Sequence, residues 1–249
     1  MAPYNSAFTH VNNTTTESIV SSSVVGIQPS TSDNIVDWVF LELRNTNSSP
    51  NSVLQTRSAL IQTDGDIVDM DGVSPVTFNN IPDGNYVLAV RHRNHLGLRI
   101  DQAFPRFISE TKSTAFTTNV IDFRTATDAQ LFGAFNGTSN AYITATHPTL
   151  GTVNLLWGGN TNGYSSLGNN AVRGSGGTNP LVNDYLYLIS TTLGGNINTS
   201  IPNVYHNGDL NMDGTVRGNG GTNPTVNDYI FLITTVLAGN INRVISQQL

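Results

Sequence analysis

Oxygen-bearing side chains concentrate near the C-terminus, in the stretch DLNMDGTVRGNGGTNPTVNDY from Asp209 to Tyr229. Only 11% of the residues in this chain are charged, and neighbouring like charges repel unless a cation lies among them. Asp209, Asn211 and Asp213 occupy positions 1, 3 and 5 of a loop, and Gly214 follows at position 6. This spacing matches the first half of an EF-hand-type calcium loop, in which the glycine permits a sharp turn.

The same stretch offers further oxygen ligands behind the turn. The backbone carbonyl of Thr215 stands at position 7, and Asp228 is the next acid along the chain. The sequence therefore predicts a Ca²⁺ site formed by Asp209, Asn211, Asp213, Thr215 and Asp228. The alternative is a solvated loop in which these side chains form Asx turns with the backbone.

An internal repeat gives this loop a partner. AVRGSGGTNPLVNDYLYLISTTLGGNIN, which begins at Ala171, matches TVRGNGGTNPTVNDYIFLITTVLAGNIN, which begins 44 residues later at Thr215, without a gap. Each copy has a glycine-rich loop followed by an apolar helix, predicted at about 184–193 and 228–238. Because β-branched residues make each helix weak alone, we expect the two helices to pack on each other with a pseudo-twofold relation.

The first copy carries a weaker set of oxygen ligands. Its front half, WGGNTNGYSSLGNN, has about five extra residues, so that Asn160, Asn162 and Asn169 or Asn170 stand where the second copy has Asp209, Asn211 and Asp213. Asp184 supplies the closing acid. Fewer carboxylates mean lower affinity, so the sequence predicts a weaker Ca²⁺ site here. A metal-free, hydrogen-bonded copy is the alternative.

The chain before these repeats reads as β structure. IVDWVFLELR, from Ile35, is apolar on both faces, as expected of a strand buried on both sides. Further short strands with turn signals between them follow, and DAQLFGAF predicts a short helical turn. The pattern predicts a mainly β chain in three parts: an N-terminal strand-forming segment (1–33), an antiparallel, Ig-like β-sandwich (34–150) and the duplicated calcium-binding module (151–249).

Two polar clusters in the β region could suggest chemistry. The acids of TDGDIVDMDG (63–72) predict a hairpin that faces Arg91 and Arg93, with a third cation site as the alternative. The histidines of RHRNH (91–95) predict hydrogen bonding at a strand end, since no nucleophile elbow, HExxH or paired-glutamate motif accompanies them. Trp38 lies in the doubly apolar strand and is expected in the core.

Composition narrows the class of protein. The net charge of −6, with 11 lysines and arginines, argues against nucleic acid and anionic membranes as partners. No apolar run approaches the length of a membrane span. The N-terminus lacks the basic start and apolar centre of a signal peptide, so we expect a removed signal or a mature start. Low charge and many Asn, Thr, Ser and Gly residues favour a secreted or cell-surface protein.

The duplicated loop–helix pattern resembles the calcium repeats of dockerin and dockerin-like modules of secreted bacterial proteins. A dockerin repeat places its closing acid at position 12, which is Gly220 here, and this loop instead extends to Asp228. The variant is similar to the C-terminal module of certain large extracellular bacterial proteins, which follows a β domain with VDWVxxELR, DGDxVDxDG and GNYxxxVRHRNHLG. This chain has these motifs at 36–44, 64–72 and 84–97. The resemblance implies an extracellular place and calcium, and no catalytic activity.

These observations favour a non-enzymatic, calcium-stabilised structural protein, a subunit of a surface assembly or head-to-tail fibre. Segment 1–33 is polar and β-branched, so it can complete an open sheet edge of a neighbouring molecule. The alternatives are that it folds back as an edge strand of its own sheet or stays disordered in a monomer. Self-association or binding to other surface proteins is thus expected. There are two alternative functions. One is a module that binds glycans or cells through exposed Asn, Tyr and Trp157. The other is a dockerin that docks on a cohesin-like partner.

Overall fold

The computed structural model describes residues 8–13, 17–18, 33–46, 52–108, 122–133, 141–163 and 171–246. Twelve strands lie in these ranges, and every pairing between them is antiparallel. Their bounds are β1 Ile35–Asn45, β2 Val53–Gln62, β3 Ile67–Val68, β4 Gly84–His92, β5 His95–Arg99, β6 Arg106–Ile108, β7 Ile143–His147, β8 Gly151–Leu155, β9 Ala171–Arg173, β10 Ser200–Pro202, β11 Thr215–Arg217 and β12 Val244–Ser246.

The six N-terminal strands form one sheet in the order β3-β2-β1-β4-β5, and β6 also pairs with β4. The central strand, β1, has neighbours on both sides, and its apolar residues alternate between two faces that other parts of the chain cover. The other strands form the pairs β7–β8, β9–β12 and β10–β11. The prediction of a mainly β, antiparallel chain is confirmed, whereas the sandwich and its Ig-like form stay predictions.

The β7–β8 ribbon crosses the predicted domain boundary at 150/151.

Both faces of the six-stranded sheet are covered. On one face, Val39 and Val90 pack in a cluster with Leu131 and Tyr142 from the chain that follows the sheet. The ring of Phe8 stacks on Phe40, with 4.7 Å between centroids, and Trp38 packs against these two rings. Trp38 is only partly buried, so it lies at the edge of the core rather than at its centre.

The described part of segment 1–33 lies on the sheet of its own chain. Strand β3 pairs only with residues 60 and 61 of β2. On that edge, β3 therefore leaves the earlier residues of β2 without a partner. There the amide of Thr56 donates to the carbonyl of Val11 (3.0 Å), and the amide of Ser58 donates to the carboxylate of Glu17 (2.7 Å). These bonds are what the fold-back alternative expects. The other residues of the segment are outside the described ranges, and its role between chains stays a prediction.

Two helices follow, close to their predicted positions. Helix α1 consists of Asp184–Leu186 and a continuation, Tyr187–Thr192, and helix α2 of Asp228–Ile230 and Phe231–Val236. Each continuation is π-helical, so Leu193 and Leu237 donate to carbonyls five residues back. Short 3₁₀ turns occupy Asp128–Gln130, within DAQLFGAF, and Pro180–Val182. In the described residues, no helix has both the length and the apolar character that a membrane crossing requires.

The two repeats complete one another. Strand β9 of the first copy pairs with β12, which follows α2 in the chain. Strand β11 of the second copy pairs with β10, which follows α1. The matched pairs Val172–Ile245 and Val216–Ile201 hold equivalent positions, 44 residues apart in each strand. This reciprocal pairing gives the expected pseudo-twofold relation.

The apolar contacts of the helices follow the same exchange. Leu232 of α2 lies in a cluster with Val172 and Ile245, whereas Leu188 of α1 lies in a separate cluster with Val216. The helices meet through Tyr185 and Tyr229, whose ring centroids are 5.2 Å apart. The helices thus contact one another, as expected, through these two tyrosines, whereas each helix packs mainly on a strand from the other copy's loop.

Candidate metal centre

The second loop, residues 209–217, wraps its side-chain oxygens around one turn of backbone. The amide of Asp213 donates to Asp209 Oδ1 and to Asn211 Oδ1, at 3.1 Å in each case. The amide of Gly214 donates to Asp209 Oδ2 (3.2 Å), and that of Thr215 donates to Asp213 Oδ1 (2.9 Å). Gly214 has a φ of +81°, which a side chain would strain. These are Asx-type turns, and each accepting oxygen keeps a second lone pair for another partner.

Asp228 closes the second loop from the first position of α2. Its side chain is fully buried, and Oδ1 accepts hydrogen bonds from the amides of Leu210 (2.6 Å) and Asn211 (3.3 Å). Its Oδ2 accepts from the amide of Arg217 at 2.8 Å. Burial raises the pKa of Asp228 to about 6, although these backbone bonds act to lower it. Three of about four lone-pair positions are thus occupied, which makes loop closure the role of Asp228 in this fold.

Asp184 closes the first loop, residues 160–173, in the same way. Its Oδ1 accepts from the amide of Thr161 (2.9 Å), and its Oδ2 accepts from that of Arg173 (2.8 Å). Burial raises the pKa of this carboxyl to about 7, because the charged form loses its water. The partners of Asp184 correspond to Leu210 and Arg217 around Asp228.

This correspondence places the asparagines of the first loop. Asn160 and Asn162 flank Thr161, so they hold the positions of Asp209 and Asn211, in agreement with the alignment that allowed five extra residues. Asn160 is completely buried, and neither its Oδ1 nor its Nδ2 has a hydrogen-bond partner in the described part of the chain. The Oδ1 of Asn162 is likewise buried without a partner there. Asn169, the third predicted ligand, lies outside the described residues.

Arginines supply part of the positive charge that the acids require. The Arg93 guanidinium of the β4–β5 turn is 3.8 Å from Asp209 Oδ2, and that of Arg217 is 3.4 Å from Asp213 Oδ2. Burial raises the pKa of Asp209, and the charge of Arg93 opposes this. Within the described ranges, no three histidine, aspartate or glutamate side chains are grouped so that they could hold a metal ion. A cation here would therefore depend on amide and carbonyl oxygens as well as carboxylates.

The tip of the β4–β5 hairpin lies between the two loops. Arg93 donates to the carbonyl of His206, and Asn94 Nδ2 donates to the carbonyl of Asp209 at 2.6 Å. On the other side, the amide of Asn160 donates to the carbonyl of Asn94 (3.0 Å). Sequence reasoning missed this contact. The presence of the RHRNH motif in the same chain as the repeats could have suggested that the two are in contact.

The histidines of the tip form a buried polar chain. His92 Nε2 lies 3.0 Å from Asp37 Oδ2, and His92 Nδ1 lies 2.9 Å from both Asn94 Oδ1 and His95 Nδ1. The hydroxyl of Tyr205 donates to Asp37 Oδ1 at 2.6 Å, which ties β1 to the segment that leads into the second loop. Hydrogen bonding at a strand end, as the sequence predicted for these histidines, is confirmed.

The acidic turn at 63–72 has partners other than the predicted ones. Asp69 pairs with Arg57 at 2.7 Å, and Asp66 lies 3.8 Å from Arg124. Arg91 instead pairs with Glu42 at 2.7 Å. The prediction that these acids face Arg91 and Arg93 is wrong. Strands β2 and β1 lie between β3 and β4, so that β3 and β4 are about 14 Å apart.

No protein-family model matches this chain, and comparison with curated proteins and with solved structures gave no match. The resemblance to dockerin-like repeats therefore stays a prediction from the motifs.

Proposed function

We propose that this chain is a non-enzymatic structural protein of the cell exterior, a subunit of a surface assembly, whose paired loops are stapled by Ca²⁺. The observation that carries the proposal is the shared design of the two loops. In each, one buried carboxylate ties both ends of the loop together, and oxygen-bearing side chains occupy the positions inside it. Such a loop offers a hard cation several oxygens at once.

The residues of the second loop fit this role in number and type. Asp209, Asn211, Asp213, the carbonyl of Thr215 and the remaining lone pair of Asp228 would hold the ion, and water would complete the six to eight oxygens that Ca²⁺ takes. The cation would offset the repulsion among the three acids, which the two arginines offset only in part. Because Ca²⁺ would bind only the folded loop, it would add directly to stability.

The first loop fits by a different observation. The side-chain oxygens of Asn160 and Asn162 are buried without hydrogen-bond partners in the described residues, and such groups are costly unless something satisfies them. A cation held by these oxygens, Asn169 and Asp184 would satisfy them. With one carboxylate, this site would be the weaker of the two.

Calorimetric titration of the full chain with Ca²⁺ tests the metal. We expect wild type to take up Ca²⁺ and to melt at a higher temperature with Ca²⁺ than with chelator. Asp213→Ala should lose the tighter site. Asp71→Ala, which removes an acid from an exposed turn elsewhere, is the matched control and should bind as wild type does. Equal uptake by wild type and Asp213→Ala would contradict the assignment.

The proposed partner is a second copy of the chain, joined through segment 1–33. Residues 11 and 17 satisfy amides of β2 within one chain, and the same bonds could be made by the segment of a neighbouring molecule. A head-to-tail exchange of this kind does not close, so it can grow into a fibre. Light scattering of the full chain and of a chain lacking 1–33, with Ca²⁺ present, tests it. If both are monomers over a wide concentration range, adhesion by a single module becomes the better conclusion.

A further inference from the structure

One buried residue contacts both loops at equivalent positions, through its backbone on one side and its side chain on the other. Asn94 has no exposed surface. Its carbonyl accepts the amide of Asn160, and its side-chain Nδ2 donates to the carbonyl of Asp209. Asn160 and Asp209 are the first ligand positions of the first and second loops, as the matching bonds to Asp184 and Asp228 show. A single residue of the β4–β5 tip thus fixes the entry to both candidate sites.

The sheet holds Asn94 firmly. Its Oδ1 is 2.9 Å from His92 Nδ1 and 2.7 Å from His95 Nδ1, and His92 is anchored in turn by Asp37. Next to it, Leu96 is buried in the cluster that contains Leu232 of α2. Because its neighbours are fixed, Asn94 cannot follow a movement of one loop without straining its bond to the other.

We propose that Asn94 is a positioning residue that couples the two loops, so that Ca²⁺ in one loop raises the affinity of the other. The inference rests on the proposed function, because it presupposes that both loops take Ca²⁺. Its physical basis is shared ordering: once one ion fixes its loop and Asn94, the other loop has less freedom to lose when it binds. Neither ion needs to touch Asn94.

Calorimetric titration of the full chain with CaCl₂ tests the coupling. We expect wild type to bind two Ca²⁺ ions with positive cooperativity. Asn94→Ala keeps the backbone bond to Asn160 and removes the side-chain bond to Asp209, together with the contacts to the rings of His92 and His95. It should still bind two ions, without cooperativity, and with the later step weakened about five- to tenfold. Asp213→Asn impairs Ca²⁺ binding by the second loop. In the wild-type background it should also lower the Ca²⁺ affinity of the first loop by a similar factor. In the Asn94→Ala background it should leave the Ca²⁺ affinity of the first loop unchanged.

Two further variants keep the test sharp. Asn94→Ser leaves a hydroxyl for the histidine rings but is too short for the carbonyl of Asp209, so it replaces Asn94→Ala if that protein does not fold. Asn154→Ala is the matched control, because its amide also donates to two backbone carbonyls, those of Phe123 and Ala126, away from the loops. It should retain cooperative binding.

The outcomes separate this inference from the proposed function. If wild type takes up no Ca²⁺, the proposed function fails and the coupling falls with it. If wild type binds two ions and Asn94→Ala or Asn94→Ser binds them with unchanged cooperativity, the coupling alone is overturned. Binding of a single ion by wild type, or loss of cooperativity in Asn154→Ala as well, also overturns it.

Discussion

Replacing Asp37 by asparagine should remove a part of the stability that depends on pH. Burial would raise the pKa of Asp37, but hydrogen bonding and the charge of His92, then the charge of Arg93 and the hydroxyl of Tyr205, lower it to about 2. The carboxylate is therefore favoured in the folded chain relative to the unfolded one. A group with a lowered pKa stabilises the fold above its ordinary value of 3.8 and loses that contribution as the pH falls towards 2.

The magnitude follows from the difference between about 2 and 3.8. Each tenfold change in proton affinity is worth about 1.4 kcal/mol, so Asp37 contributes about 2 kcal/mol near neutral pH. Urea unfolding of wild type and Asp37→Asn at several pH values measures it. We expect a gap of about 2 kcal/mol at pH 7 that narrows between about pH 4 and pH 2.

Two variants control this measurement. Tyr205→Phe removes one of the hydrogen bonds to Asp37 and should cost about 1 kcal/mol. Asp101→Asn changes a carboxylate that accepts a backbone bond from Ala103, outside the network, and should give no comparable gap. A gap for Asp37→Asn that stays constant from pH 7 to pH 2 would refute the reasoning, since the loss would then be steric rather than electrostatic.

Three further predictions concern other parts of the fold. Leu188→Ala and Leu232→Ala, both fully buried, should each lower the free energy of unfolding by about 3 kcal/mol, measured by urea unfolding; a neutral effect would contradict the two clusters. The hydroxyl of Tyr142 donates to Asp128, which raises the pKa of Tyr142 to about 12. This hydrogen bond should therefore stabilise the fold up to about pH 10 and lose its effect by about pH 12. Ultraviolet titration of wild type and Tyr142→Phe checks this. Phe8→Ala should cost dilute, monomeric protein about 3 kcal/mol, and no loss would mean that Phe8 does not pack on its own sheet.

Local patterns were sufficient to predict the central strand and the two helices of this fold, but not the short strands β7 to β12. The doubly apolar run at 35–44 became the central strand, and its side chains pack in apolar clusters on both faces of the sheet. The 44-residue repeat predicted both helices to within two residues. Asn183 and Asn227 cap them, each through a side-chain oxygen that accepts an amide of the first turn. These features depend on neighbours along the chain, and so a single sequence shows them.

Contacts between distant segments were not predictable in the same way. Nothing in the acids at 63–72 reveals that two strands separate them from Arg91, since strand order is set by the whole sheet. The place of Asn94 between the loops, and the exchange of strands between the copies, arise from segments that are far apart in sequence. The positions of the candidate ligands in the loops followed from spacing, whereas the loop-closing hydrogen bonds of Asp184 and Asp228 required coordinates.

The exchange of strands between the repeats also sets an order of events during synthesis. Val172 pairs with Ile245, 73 residues further along the chain, so the first copy cannot close until the last strand of the second has been made. A nascent chain that ends anywhere between 217 and 243 holds one completed strand pair, β10–β11, and one open edge at β9. Neither copy is then a folding unit by itself, because each strand pair joins a segment of the first copy to a segment of the second.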